Sequence, residues 1–211
     1  MQQLLLSSRA FCNQKITDAF MEMVQSSHGQ TERILIIVNS VSEGKQHPKM
    51  IELQETVRSL GFDQVDLFDV LTDDLMELTT AKAIILNGGY EFLLLKNLRI
   101  ANVLGELRKL ARTGTPIYGI SAGAILLGPD LELFAQLFPE DNEEHLTTST
   151  AINATPVRIY PHYDLQCELN PQLPALVEAW EQQTGETVTR LTNAQGLLIC
   201  DSQQRLIDRG R

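Results

Sequence analysis

Short runs of consecutive apolar residues alternate, along most of the 211-residue chain, with stretches in which apolar positions recur every three or four residues. An uninterrupted run suits a strand covered on both faces, whereas the wider spacing puts apolar side chains on one side of a helix. The runs predict strands at residues 4–6, 34–38, 65–68, 84–86 and 116–120. Between them, Ile16, Phe20, Met23 and Val24 fall at helical spacing, as do Met50, Leu53, Val57 and Leu60 in a helix that Gly61 ends. A further helix is predicted through Val103, Leu107 and Leu110 to Gly114. This alternation predicts an α/β architecture: a flavodoxin-like three-layer sandwich, a mostly parallel sheet with helices on both faces.

The pattern changes near residue 129. Residues 129–150 are rich in acidic and hydroxyl side chains and read as a loop or partly helical excursion. A strand at 157–160, a helix at 173–183 and a terminal hairpin of 196–200 with 205–207 complete the reading. No repeat, low-complexity segment or linker interrupts it, so residues 1–211 are expected to form one domain.

Charge removes several partners from consideration. With 27 acidic against 17 basic side chains the net charge is −10, a balance that disfavours nucleic acid and anionic membrane surfaces, which reward clustered Lys and Arg. No apolar run is long enough to span a bilayer. The N-terminal Met1-Gln2-Gln3-Leu4-Leu5-Leu6 has no basic segment and reads as a first strand rather than a signal peptide. Cys12, Cys167 and Cys200 are widely separated and odd in number, with no Cys-x-x-Cys pair or Cys/His cluster. They predict a reducing, cytoplasmic setting without disulfide, metal site or cofactor. These cysteines, Trp180, Phe62, Phe68 and Phe92 read as core packing. A homodimer is left open.

The candidate chemistry begins at Gly119-Ile120-Ser121-Ala122-Gly123, a Gly-x-Ser-x-Gly match between an apolar strand and a helix-forming run. A serine hydroxyl is a weak nucleophile and must stand exposed where a base can reach it. A turn tight enough to do this crowds the positions two before and two after, which glycine relieves. The following helix offers N–H groups to a developing oxyanion. A second glycine turn, Asn87-Gly88-Gly89, follows the strand at 84–86. One of its N–H groups is expected to face Ser121 and complete an oxyanion hole with that of Ala122, because ligands in open α/β sheets collect at strand carboxyl ends.

The expected base is a histidine. His28, His47 and His145 lie in polar stretches and read as solvated. His162 instead follows a strand, in Tyr160-Pro161-His162-Tyr163-Asp164, and is the preferred base.

With these residues placed, the chain resembles the peptidase E family of serine peptidases, relatives of cyanophycinase on a class I glutamine-amidotransferase-like scaffold. The resemblance rests on Leu4-Leu5-Leu6-Ser7-Ser8, Gly88-Gly89-Tyr90-Glu91-Phe92-Leu93-Leu94-Leu95, Gly119-Ile120-Ser121-Ala122-Gly123-Ala124 and Pro161-His162-Tyr163. It implies Ser121 as nucleophile, His162 as base, Gly89 and Ala122 as oxyanion donors, and a small peptide as substrate, with N-terminal aspartate a weaker implication. The glycine turn departs from the family's usual Gly-Gly-Asn-Thr.

The third, acidic member of a triad is not fixed by spacing. The family order of serine, acid, histidine restricts it to Asp130, Glu132, Glu140, Asp141, Glu143 and Glu144, with Asp164 just outside. Glu143 and Glu144 read as solvated and Glu132 as helical, while Pro139 stiffens the approach to Glu140 and Asp141. Asp141 is placed first. Two other readings remain: a catalytically inactive binding or regulatory relative on the same fold, and a glutamine amidotransferase subunit, which would need cysteine at position 121.

Overall fold

The structure is a computed structural model that describes residues 1–27 and 29–208. Among the described residues nine strands run in chain order: β1 (Gln3–Ser7), β2 (Ile34–Ile37), β3 (Val65–Phe68), β4 (Ala83–Leu86), β5 (Ile117–Ile120), β6 (Arg158–Tyr160), β7 (Val188–Arg190), β8 (Gly196–Cys200) and β9 (Gln203–Ile207). The helices are α1 (Gln14–Gln25), α2 (Pro48–Ser59), α3 (Glu77–Thr80), α4 (Glu91–Ile100), α5 (Leu104–Thr113), α6 (Ala122–Leu127), α7 (Glu132–Leu137), α8 (Tyr163–Leu169) and α9 (Leu173–Thr184).

Seven strands form one sheet in the order β3-β2-β4-β5-β1-β8-β9. The first five are mutually parallel, and β8 and β9 add an antiparallel edge. Side chains alternate across a strand, so each apolar run feeds two cores at once. Leu4, Leu6, Ile84 and Leu86 point into the core built with α4, α5 and α6. Leu5, Ile36, Ile85 and Tyr118 point into the opposite core, against Phe20 of α1 and Val57 of α2. The result is the α/β layering that the alternation of runs predicts. Asn13 caps α1 by accepting the Ile16 N–H at 3.0 Å, and Gly114 ends α5 in the left-handed region at φ 107°.

The elements that escape the sequence reading are α3, α4, α8 and β7. Helix α4 does so because Phe92-Leu93-Leu94-Leu95 is too continuous for helical spacing to show; Phe92, Leu94, Leu95 and Leu98 are all buried. Strand β7 does so because only Val188 of its three residues is buried. It pairs in parallel with β6 as a separate two-stranded sheet. Residues 129–150 are partly helical, holding α7 and a 3-10 turn at Pro139–Asp141. Among the described residues no helix is long and apolar enough to cross a membrane.

Candidate active site

Parallel register assembles the site. Leu86 pairs with Gly119 and Ser7 with Ile120, so the chain leaves β4, β5 and β1 side by side. The turn 87–89, the elbow at Ser121 and Ser8 therefore lie together at the carboxyl edge of the sheet, where open α/β folds bind ligands. The small sheet repeats the device. Tyr160 pairs with Arg190, which sets His162 beyond β6 next to residues 191–193 beyond β7.

Ser121 stands at φ 49° and ψ −113°, an unfavourable backbone conformation for a residue with a side chain. Such a residue costs on the order of 1–3 kcal/mol and persists only where its surroundings hold it. Here its N–H donates to the Ser7 carbonyl at 2.8 Å. Both motif glycines answer to close backbone approach. A Cβ at Gly119 would lie 2.7 Å from the Ala124 Cα, and one at Gly123 would lie 2.0 Å from the Leu86 carbonyl oxygen. Gly123→Ala is accordingly expected to push α6 off β4 at a cost of about 3 kcal/mol. At about 2–4 °C per kcal/mol for a chain of this size, a thermal melt should show Tm lowered by about 6–12 °C.

The His162 Nε2 lies 3.0 Å from Ser121 Oγ, within reach of a proton transfer. His162 is itself left-handed, at φ 56°, and its backbone N–H donates to Ser8 Oγ at 3.0 Å. Buried Ser8 also donates to the Leu191 carbonyl at 3.1 Å, so one hydroxyl ties both loops to the end of β1.

In the glycine turn, Gly88 N–H donates to Asn87 Oδ1 at 2.8 Å and Tyr90 N–H to the Ser40 carbonyl at 2.8 Å. The Gly89 N–H between them has no protein acceptor among the described residues. A Cβ at Gly89 would meet the Ser40 carbonyl oxygen at 2.4 Å, which excludes any side chain there. A Cβ at Gly88 would stand 3.1 Å from that of Ser121, so this turn abuts the elbow. Ala122, as first residue of α6, places its N–H at a helix N-terminus beside Ser121.

The expected carboxylate beside His162 is absent. Its Nδ1 instead meets Asn193 Oδ1 at 2.5 Å. Asp141 and Glu140 lie exposed in the 3-10 turn at Pro139–Asp141, where Asp141 faces Glu91 and Tyr160, not the histidine. Asp130 is committed to an ion pair with Arg158, and Glu144 to one with Lys96. Asp164 enters the site indirectly, accepting the Asn193 backbone N–H at 2.9 Å. Of the other histidines, His145 is exposed, His28 lies outside the described residues, and His47 is more than solvated. It caps α2 through Nδ1, which accepts the Lys49 N–H at 3.2 Å, and it lines the cleft.

Burial, together with the neighbouring Asp141, raises the Glu91 carboxyl above the usual carboxylate range. Burial also raises Asp141, with Glu140 and Glu143 adding to it. A folded-state pKa above the unfolded value means the folded chain holds more protons in that interval, so stability falls as pH rises through it. Glu91→Gln is therefore expected to raise Tm more near neutral pH than near pH 4, as paired melts at the two conditions would show.

A cleft of about 580 Å³ opens over Ser121 and His162. Arg9, His47 and Lys49 line it, with Glu52 the single carboxylate among the lining residues. That volume suits a small ligand. No cluster of three or more His, Cys, Asp or Glu side chains among the described residues could hold a metal ion.

Comparison with known proteins gives a family match and two matches of fold. The model of peptidase family S51 matches residues 4–207. A crystal structure from Listeria monocytogenes EGD-e, provisionally assigned as a peptidase E protein, superposes with a TM-score of 0.74 at 20% identity, covering 100% of both chains. A peptidase from an acI-B1 actinobacterium superposes with a TM-score of 0.73 at 14% identity, covering 99% of this chain and 88% of its own. No curated protein sequence matches the chain at a significant level.

Proposed function

The chain belongs to peptidase family S51 and is a serine peptidase, and from that premise we propose that it cleaves short acidic peptides, Asp-Xaa dipeptides among them, through an acyl-enzyme at Ser121. The observation that carries the reading is the 3.0 Å approach of His162 Nε2 to Ser121 Oγ at an elbow beside the unengaged Gly89 N–H. His162 takes the hydroxyl proton as Ser121 Oγ bonds to the scissile carbonyl carbon. The carbonyl oxygen becomes an oxyanion held by the Gly89 and Ala122 N–H groups. His162 returns the proton to the leaving amine as the C–N bond breaks, leaving an ester on Ser121. A water then repeats the sequence and releases the acid.

The preference for acidic peptides draws support from charge placement. The chain carries a net charge of −10, yet Arg9 and Lys49 line the cleft against one carboxylate, Glu52. Cations in a low-dielectric cleft attract an anionic ligand from a distance. The purified protein should be assayed against short peptides, with Asp-Xaa, Asn-Xaa and Lys-Xaa dipeptides in parallel. Faster release from Asp-Xaa is expected. Equal rates across the three would remove the acidic preference, and no release beside a fluorophosphonate-labelled Ser121 would leave a serine hydrolase with a different substrate.

A further inference from the structure

We propose that Asn193 is the positioning residue of His162, acting through its amide oxygen, so that the site works with an uncharged partner where a serine triad ordinarily has a carboxylate. This rests on the reading of Ser121 and His162 as nucleophile and base. An amide oxygen only accepts hydrogen bonds. With Asn193 Oδ1 at 2.5 Å, His162 Nδ1 must carry the ring proton as donor, and the Nε2 lone pair then faces Ser121 Oγ at 3.0 Å. Turned over, the same amide would donate its NH₂ to Nδ1. The ring proton would move to Nε2 and the base would have no lone pair for the serine. One rotation of one amide separates a working base from a dead one.

The backbone around Asn193 is held as a positioning role requires. Its N–H is anchored to Asp164 Oδ1 at 2.9 Å. Leu191 N–H donates to the Tyr160 carbonyl and Tyr163 N–H to the Leu191 carbonyl, both at 2.9 Å, which extends the β6–β7 pairing into the two loops. Ser8 Oγ joins those loops, accepting from His162 N–H and donating to the Leu191 carbonyl. Parallel strands thus carry His162 and Asn193 out side by side.

An uncharged partner has a measurable consequence. A carboxylate favours the imidazolium and raises the pH at which the base is lost, whereas an amide oxygen orients the ring without adding charge. The charged and titratable groups around the pair are Asp164 on α8, Arg9 beyond β1, Arg190 of β7 over the Tyr163 ring, and His47, Lys49 and Glu52 across the cleft. All are common to the variants compared, so differences report on position 193.

The test is the rate at which a fluorophosphonate labels Ser121, followed by intact mass from pH 5 to 9 in the wild type, Asn193→Ala and Asn193→Asp, each checked by thermal melt. Asn193→Ala should label about 10²-fold more slowly at unchanged probe affinity, since an unoriented base forfeits much of its contribution. Asn193→Asp should move the acid limb up by about one pH unit and raise the limiting rate about tenfold, because a charge-assisted bond is roughly twice as strong as a neutral one. An Asn193→Ala protein with wild-type rate and pH profile overturns the proposal. Labelling of Asn193→Asp but not of the wild type also overturns it, showing the amide turned over while the Ser121–His162 reading survives. Absence of labelling in both overturns that underlying reading as well.

Discussion

Ser121→Ala is expected to lower turnover of any confirmed peptide substrate by roughly 10⁴-fold or more while shifting Tm little. The asymmetry follows from what the hydroxyl touches. Among the described residues Ser121 Oγ bonds only the His162 ring, and the elbow is held instead by backbone groups: Ser121 N–H on the Ser7 carbonyl and Ile125 N–H on the Ser121 carbonyl at 3.0 Å. Alanine keeps all of these, and its Cβ occupies the place of the serine Cβ. Residual turnover would come from substrate binding and the N–H groups of Gly89 and Ala122, which the substitution leaves in place. Steady-state kinetics beside a melt would decide the matter. A variant retaining even a tenth of wild-type activity would show that the nucleophile lies elsewhere.

His162→Ala is expected to cost nearly as much, because a serine without its base is a poor nucleophile at neutral pH. Nucleophile and base act as a unit, so the double variant with Ser121→Ala should be no worse than either single one. His145→Ala should leave turnover unchanged, since that side chain is exposed in the 129–150 excursion. His47→Ala should alter KM more than kcat, because His47 lines the cleft and caps α2 without touching Ser121. Full kinetic constants for the three variants would separate these roles, and a comparable loss on replacing His145 would remove His162 from the assignment.

These expectations mark where the sequence was legible. Runs such as Ile84–Ile85–Leu86 and the Gly-x-Ser-x-Gly segment announce themselves, because burial on both faces and close backbone approach each demand a narrow set of residues. Histidine 162 is conspicuous because it follows an apolar strand. Asn193 is not. It follows a strand of three residues with one buried position, in Leu191-Thr192-Asn193-Ala194, where asparagine reads as an ordinary turn residue. Its partnership with His162 exists only through the parallel β6–β7 register, a pairing between residues 30 apart that no local pattern encodes. A search restricted to carboxylates between the serine and the histidine could not reach it. The cationic lining was equally hidden, since Arg9 and Lys49 come from the end of β1 and the start of α2, distant in sequence, and line one cleft only in the folded chain.

The backbone of Ser121 carries one more consequence. A chain optimised only for persistence would not put a serine at φ 49° and ψ −113°, because glycine adopts such angles without the steric cost. Position 121 is thus a place where durability and chemistry pull the sequence in opposite directions. Random substitution screened for heat resistance alone should enrich glycine there and return sturdier, silent proteins. A stability-guided redesign of this scaffold would need that position withheld from choice.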